Sequence, residues 1–230
     1  MIEEKKELEE LAYDEGADLF GVCDLSILDD VKTMPPGLFD RYSRGISIGI
    51  DLGRGIFQNL PESRPIYARY YQLINQKIDE ISFKLYKEIE RRGYKAMPIP
   101  ASHMLKDTEF RSFMPHKSIA RASGVGWIGK SLLLVTEEYG SRVRLGSILT
   151  DMELETGEPM KNRCGACKKC IENCIADALK ENQFEEYPSS RKKSLDVEKC
   201  ASKLREFDND EDIGEMVCGI CIKECPFSKI

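Results

Sequence analysis

From Tyr67 to Ile89 the apolar residues recur at steps of three and four: Tyr67, Tyr70, Tyr71, Ile74, Ile78, Ile81, Leu85 and Ile89. That period paints one stripe on a helix. It predicts a long helix from about Pro65 to Arg92, stopped by Gly93. The tyrosines at its start read as core or interface residues at this spacing. Earlier, residues 2–15 have the spacing of an amphipathic helix ending before Gly16. Asp18–Asp24 is a short apolar run bounded by polar residues and predicts a strand. Ile46–Ile50 alternates and predicts a second strand. Pro35-Pro36-Gly37 marks residues 30–43 as irregular, and Gly53, Gly55 and Pro61 mark another loop. After the long helix, Tyr94–Ile99 predicts a strand that Pro98 and Pro100 confine to an edge or an end.

Residues 101–115 are polar, without a period, and carry Ser102, His103, Asp107 and Arg111. A segment of that length beside a core either shapes a site or connects two elements. His116–Ala122 predicts a short helix. Gly124, Gly126 and Gly129 then crowd around Trp127, with Lys130 and Ser131 following. These glycines precede a strand, so neither a dinucleotide fingerprint nor a phosphate loop fits. Their density predicts backbone in close approach to a flat or bulky group, or else a tight turn that packs Trp127 into the core. Lys130 is then placed to bind a phosphate or a carboxamide. Ser131–Thr136 and Arg142–Thr150, joined by Glu137–Gly140, read as a β-hairpin. From Asp151 to Asn162 the composition turns polar. A boundary there separates a core, residues 1–155, from a cysteine-rich region, residues 156–230. Residues 185–194 are a charged insertion, and Val197–Phe207 reads as a helix carrying Cys200.

Composition narrows the class. With 230 residues and 41% hydrophobic content, the chain can bury a globular core. The balance of 34 basic against 40 acidic residues, net −6, argues against a broad nucleic-acid surface. No run of about 18 apolar residues predicts a membrane span. The stretch Met1-Ile-Glu-Glu-Lys-Lys-Glu has no apolar segment of a signal peptide, so a cytoplasmic location is expected.

The cysteines change the picture most. Cys164, Cys167, Cys170 and Cys174 form the run C-x2-C-x2-C-x3-C. Cys218, Cys221 and Cys225-Pro226 form an answering run, with Cys200 upstream. The pattern resembles that of bacterial two-cluster ferredoxins, in which the fourth cysteine of each run ligates the other run's cluster. That resemblance implies Cys164, Cys167, Cys170 and Cys225 on one 4Fe–4S cluster, and Cys174, Cys200, Cys218 and Cys221 on a second. Two structural zinc sites are the alternative, since paired C-x-x-C also serves zinc. A third cysteine after only two residues favours iron. Disulfides suit an oxidising compartment instead. The remaining cysteine, Cys23, reads as a buried strand thiol acting as a small hydrophobe.

The stretch from His116 to Thr136, the stretch Gly140–Asp151 and the two cysteine sets together resemble the epoxyqueuosine reductase family. They are also similar to the catalytic part of reductive dehalogenases. The match covers about residues 60–228. The resemblance implies an α+β fold: a nitroreductase-like cobalamin-binding core with a C-terminal two-cluster ferredoxin domain. It implies electrons passing through the clusters to a corrin cobalt. It also implies that Gly124, Gly126, Trp127, Gly129, Lys130, Ser131, Arg142 and Arg144 lie near the corrin. The family's queuosine enzymes place an acidic proton donor after the strand matching Tyr94–Ile99. This chain has Pro100-Ala101-Ser102-His103 there, which leaves His103 or Tyr139 as the catalytic candidates. The family's tRNA-binding extension has no counterpart after Cys225, and with net charge −6 a tRNA substrate is not expected. The missing export signal argues against the dehalogenases.

Two function classes follow. In the first, the chain is a corrinoid-linked iron–sulfur reductase of a small substrate, fed by a donor such as ferredoxin or flavodoxin. In the second, it is an electron-transfer protein that reduces a partner's corrinoid or another redox enzyme, with no substrate chemistry of its own.

Overall fold

The computed structural model describes residues 2–105 and 112–230. Asp107 and Arg111 of the polar segment lie outside the described residues. Helix α1 spans Ile2–Asp14, strand β1 Leu19–Asp24, strand β2 Arg44–Asp51, helix α2 Arg54–Gln58 and helix α3 Arg64–Arg91. Strand β3 (Ala96–Ile99) and helix α4 (His116–Ala122) follow, then strands β4 (Trp127–Ile128), β5 (Leu134–Val135) and β6 (Val143–Thr150). The last stretch holds four helices: α5 (Lys169–Glu172), α6 (Arg191–Ser194), α7 (Val197–Asp208) and α8 (Ile220–Lys223). The two long helices and the strands of the first hundred residues match the periodicity, because each buries one continuous apolar face. Gly93 follows α3 with φ +90°, the left-handed conformation that ends helices.

The chain divides into two compact units. The first comprises residues 1–50, 74–126 and 144–160, and the second residues 51–73, 127–143 and 161–230. The sequence suggested a single cut near 155/156. One boundary, at Met160/Lys161, falls close to it, but residues 51–73 and 127–143 also belong with the cysteines. Composition changes along the chain, whereas a compact unit is assembled in space, so a polar stretch marks only the last crossing.

The first unit holds a four-stranded sheet in the order β1-β2-β6-β3. Strands β1 and β2 pair antiparallel, Leu19 opposite Gly49 and Asp24 opposite Arg44. Strand β3 lies at the edge, antiparallel to β6, as Pro98 requires. One side of the core joins Leu8, Val22, Ile46, Ile48, Ile78, Ile81, Leu85, Ile89 and Ile148. Gly146 on β6 leaves room for the Ile78 side chain of α3, where a Cβ would collide. A second cluster gathers Cys23, Leu25, Phe39, Met114, Ile119 and Leu149. Cys23 is fully buried there, and burial pushes its thiol up to about 12, which fits the small hydrophobe the sequence suggested.

The expected hairpin of Ser131–Thr136 with Arg142–Thr150 does not form. Strand β5 is two residues long and pairs with β4, Trp127 opposite Val135. Strand β6 takes its place in the main sheet between β2 and β3. A single bridge, Thr136 with Gly140, is all that remains of the turn among the described residues. The reason is tertiary: residues 146–150 are all buried, and a central sheet position covers them on both sides. The glycine-rich stretch, read as backbone near a bulky group or as a tight turn, supplies the partner strand of β5.

Candidate metal centre

The second unit brings the eight remaining cysteines together. All nine cysteines are free of disulfides. In the first run Gly165, with φ +53°, turns the chain so that the Cys167 N–H reaches the Cys164 carbonyl at 3.0 Å. Cys170 lies on the short helix α5. In the second run Gly219, with φ +82°, turns the chain between Cys218 and α8, which carries Cys221. Pro226 opens a tight 3-10 turn immediately after Cys225, as the sequence suggested. Cys200 projects from α7, whose first turn is capped by the Asp196 carboxylate accepting from the Lys199 N–H at 3.2 Å.

The electrostatic neighbours of Cys170, Cys200 and Cys221 group the cysteines, and Cys170 and Cys221 meet between the two groups. Burial pushes Cys170 up to about 12, and Cys164, Cys225 and Cys167 push it in the same direction. Burial raises Cys221 further, with Cys218, Cys170, Cys200 and Cys174 adding to it. Cys200 is raised by burial and then by Cys174 and Cys218. Cys164, Cys167, Cys170, Cys221 and Cys225 line a cavity of about 30 Å³, with Val135 and Phe227 among its walls. Thiols packed and desolvated in this way cannot all ionise without cationic partners, and irons bridged by sulfide supply that charge. The all-sulfur donor sets, the backbone N–H groups turned toward them and the cavity fit iron–sulfur clusters.

The residues expected near a corrin are put to other uses. Lys130 is 4% exposed, and its ammonium donates to the carbonyls of Gly165 at 2.7 Å and Cys167 at 3.0 Å. It clamps the first cysteine loop. Gly129 has no room for a Cβ, which would lie 2.7 Å from Val135 Cγ2 and 3.6 Å from the Cys164 sulfur. Ser131 lines the same cavity. Gly126 is buried, and Trp127 is completely buried, its ring edge-on to Phe227 with centroids 4.8 Å apart. Arg142 ion-pairs with Asp51 and donates through Nε to the Ser228 carbonyl at 3.0 Å, holding the segment after Cys225. In the first unit, a Cβ on Gly124 would lie 2.9 Å from the Glu158 carbonyl. Arg144 donates to Asn75 Oδ1 at 3.0 Å and to the Ala101 carbonyl at 3.1 Å. The polar atoms of Lys130, Arg142 and Arg144 therefore face protein oxygens.

The catalytic candidates fall in different units. His103, in the first, stacks on Phe113 with ring centroids 5.2 Å apart. Tyr139, in the second, lies under the Arg142 guanidinium at 5.5 Å. His116 has the clearer environment. Its Nε2–H donates to the Pro100 carbonyl at 3.1 Å, and its Nδ1 accepts from the Ser147 hydroxyl at 2.9 Å. Burial lowers its pKa to about 4 despite the Pro100 carbonyl, with nearby Arg144 lowering it further. It is neutral at pH 7 and ties α4 to the end of edge strand β3 and to its neighbour β6.

Sequence reasoning missed Arg64 and the helix start that carries it. Arg64 is 7% exposed, stacks on Phe207 at 4.1 Å and donates to the Cys218 carbonyl at 3.3 Å. Tyr67 is 5% exposed and packs edge-on against Phe57 at 5.0 Å, where both rings meet the Gly219 turn. A basic residue opening an aromatic-rich helix was the available signal. Tyr70, by contrast, is exposed.

Comparison with known proteins agrees with this geometry. Residues 163–228 match the 4Fe-4S double cluster binding domain. The epoxyqueuosine reductase of Gloeobacter violaceus is 40% identical over 122 residues, covering 49% of this chain and 35% of that protein. The epoxyqueuosine reductase of Prochlorococcus marinus is 26% identical over 217 residues, covering 87% of this chain and 61% of that protein. The first of these matches thus spans about a third of the relative's length. Among solved structures, a catabolic reductive dehalogenase shares the fold with a TM-score of 0.74 at 20% identity, covering 96% of this chain and 31% of the other. An epoxyqueuosine reductase solved with an epoxyqueuosine-modified tRNA-Tyr stem loop gives 0.65 at 20% identity, covering 99% and 66%. No described helix is long and apolar enough to cross a membrane. The chain is similar to the epoxyqueuosine reductases over part of their length, has the α+β fold of solved epoxyqueuosine reductases and reductive dehalogenases, and matches a double 4Fe–4S cluster domain at residues 163–228.

Proposed function

We propose that this chain is an iron–sulfur oxidoreductase that carries electrons through two 4Fe–4S clusters. Cys164, Cys167, Cys170 and Cys225 hold one cluster, and Cys174, Cys200, Cys218 and Cys221 the other. The observation that supports the reading is that eight cysteines gather within one unit, five of them raised by burial and by neighbouring cysteines. The chain's own residues wrap the clusters, exclude water with Val135 and Phe227, and neutralise the loops with Lys130 and Arg64.

The finer reading gives the electrons to a bound corrinoid that reduces a small substrate. Its support is the fold shared with a dehalogenase whose structure is described as suggesting a B12-dependent mechanism, TM-score 0.72 at 22% identity. A corrinoid would supply a low-potential cobalt; which residues would hold it does not follow from Lys130, Arg142 or Arg144. Their engagement, together with a neutral His116, favours a second reading, an electron carrier for a partner's corrinoid or redox enzyme. The donor in either case is a low-potential carrier such as ferredoxin or flavodoxin.

Anaerobic purification decides between them, followed by iron and cobalt analysis and visible spectra with and without cobalamin. Eight irons per chain with one corrinoid supports the reductase, and eight irons with no corrinoid uptake supports the carrier. Zinc in place of iron overturns both. Turnover of an epoxyqueuosine-modified tRNA stem loop, which the net charge of −6 does not favour, would overturn the small-substrate reading.

A further inference from the structure

Trp127 is the one tryptophan of the chain, and it is completely buried. Its indole Nε1 makes no completed hydrogen bond among the described residues, to sulfur or to any other acceptor. Its electrostatic neighbour is the Cys164 thiol, whose pKa burial raises and the indole N–H lowers. We propose that Trp127 sets the reduction potential of the cluster held by Cys164, by donating an indole N–H hydrogen bond to that ligand's sulfur.

The placement is built into the local structure. Strand β4 is fixed by its pairing with β5, Trp127 opposite Val135. Asn162 ties β4 to the ligand directly: its Nδ2 donates to the Ile128 carbonyl at 2.8 Å, and its Oδ1 accepts from the Cys164 N–H at 2.8 Å. Phe227, two residues beyond Cys225, holds the indole edge-on with rings inclined by 81°. The Arg163 guanidinium covers the ring at 5.6 Å. A buried N–H without an acceptor costs free energy, and ionised cysteine sulfur in a cluster is a stronger acceptor than a neutral thiol. Loading the cluster therefore completes an otherwise unmade bond.

The electronic consequence has a definite sign. Reduction by one electron from an external low-potential donor adds negative charge that spreads onto the sulfurs, with no bond made or broken. A hydrogen bond to sulfur stabilises that form and raises the potential. Trp127 is a side-chain donor, unlike the Ala178 N–H on Cys174 at 3.4 Å, so it can be removed without touching the backbone.

The inference rests on the cluster reading above, and the test separates the two. Trp127→Phe keeps the ring against Phe227 and deletes the N–H. In the full chain, a spectroscopic redox titration should find full iron and one cluster about tenfold harder to reduce, which is about 59 mV lower for a one-electron couple. The other cluster should keep its potential. Full iron with both potentials unchanged overturns the role of Trp127 and leaves the clusters standing. Native protein without 4Fe–4S signals overturns both. Should the variant lose iron, the native chain labelled with indole-15N tryptophan carries the test, because one tryptophan gives one signal. Pulsed EPR of the reduced protein should show coupling to that nitrogen and to its exchangeable proton, and absence of both overturns the proposal.

Discussion

His116 shows how much one residue's surroundings decide. In water it would titrate near 6.5, but burial lowers it to about 4 in the folded chain. Between those values the unfolded chain binds a proton that the folded chain refuses. Its contribution is therefore complete above about pH 6.5 and is lost as pH falls toward about 4, at up to about 1.4 kcal/mol per pH unit. Urea unfolding of native protein and His116→Gln at pH 7, 6 and 5 should show the native chain losing stability faster over this window. Parallel loss in both proteins would rule the effect out. Cysteines divide in a similar way. Cys167→Ala should cost about half the iron, since four of eight ligands serve each cluster. Cys23→Ala should leave iron unchanged, because Cys23 sits in the sheet core of the other unit. The sequence separated these two roles by spacing alone. It did not show that Trp127 and Cys164 would be neighbours, because positions 37 apart in the chain close only in three dimensions.

Among the elements, two turns govern the cysteine runs. Gly219 adopts φ +82°, and a Cβ there would lie 2.7 Å from Leu60 Cδ1. Gly219→Ala should cost about 1–2 kcal/mol for the left-handed backbone, with overpacking added. Melting should move downward, and iron should leave the Cys218–Cys221 cluster first. Lys130 acts on the other turn, and Lys130→Ala removes two hydrogen bonds of a buried cation, each worth about 1.5–3 kcal/mol. Iron release to a chelator should quicken in that variant; an unchanged release rate would show that the clamp does not hold the loop. Helices α1 and α3 were legible in the sequence because each has a single apolar stripe. The short β4 and β5 were not, because two-residue strands have no period. Strand β6 showed its identity as a strand but not its partner, since alternation says which face is buried and not which neighbour covers it.

At the scale of the whole molecule, the units are discontinuous in sequence, and this has a measurable consequence. The second unit crowds desolvated thiols and needs metal to balance them. Removing iron should raise hydrogen exchange across residues 51–73, 127–143 and 161–230, while α1 and the sheet of the first unit stay protected. A rise confined to residues 161–230 would mean that the two earlier segments do not depend on the cysteines. The sequence by itself determined the donor chemistry, the two cysteine sets and the helical and strand faces, because spacing and period are local properties of a chain. The tertiary structure alone decided which segments enclose the cysteines, that Lys130 and Arg142 serve loops, and that the one indole is buried beside Phe227. Those are contacts between residues far apart in the chain, and only packing chooses among the partners that a local pattern allows.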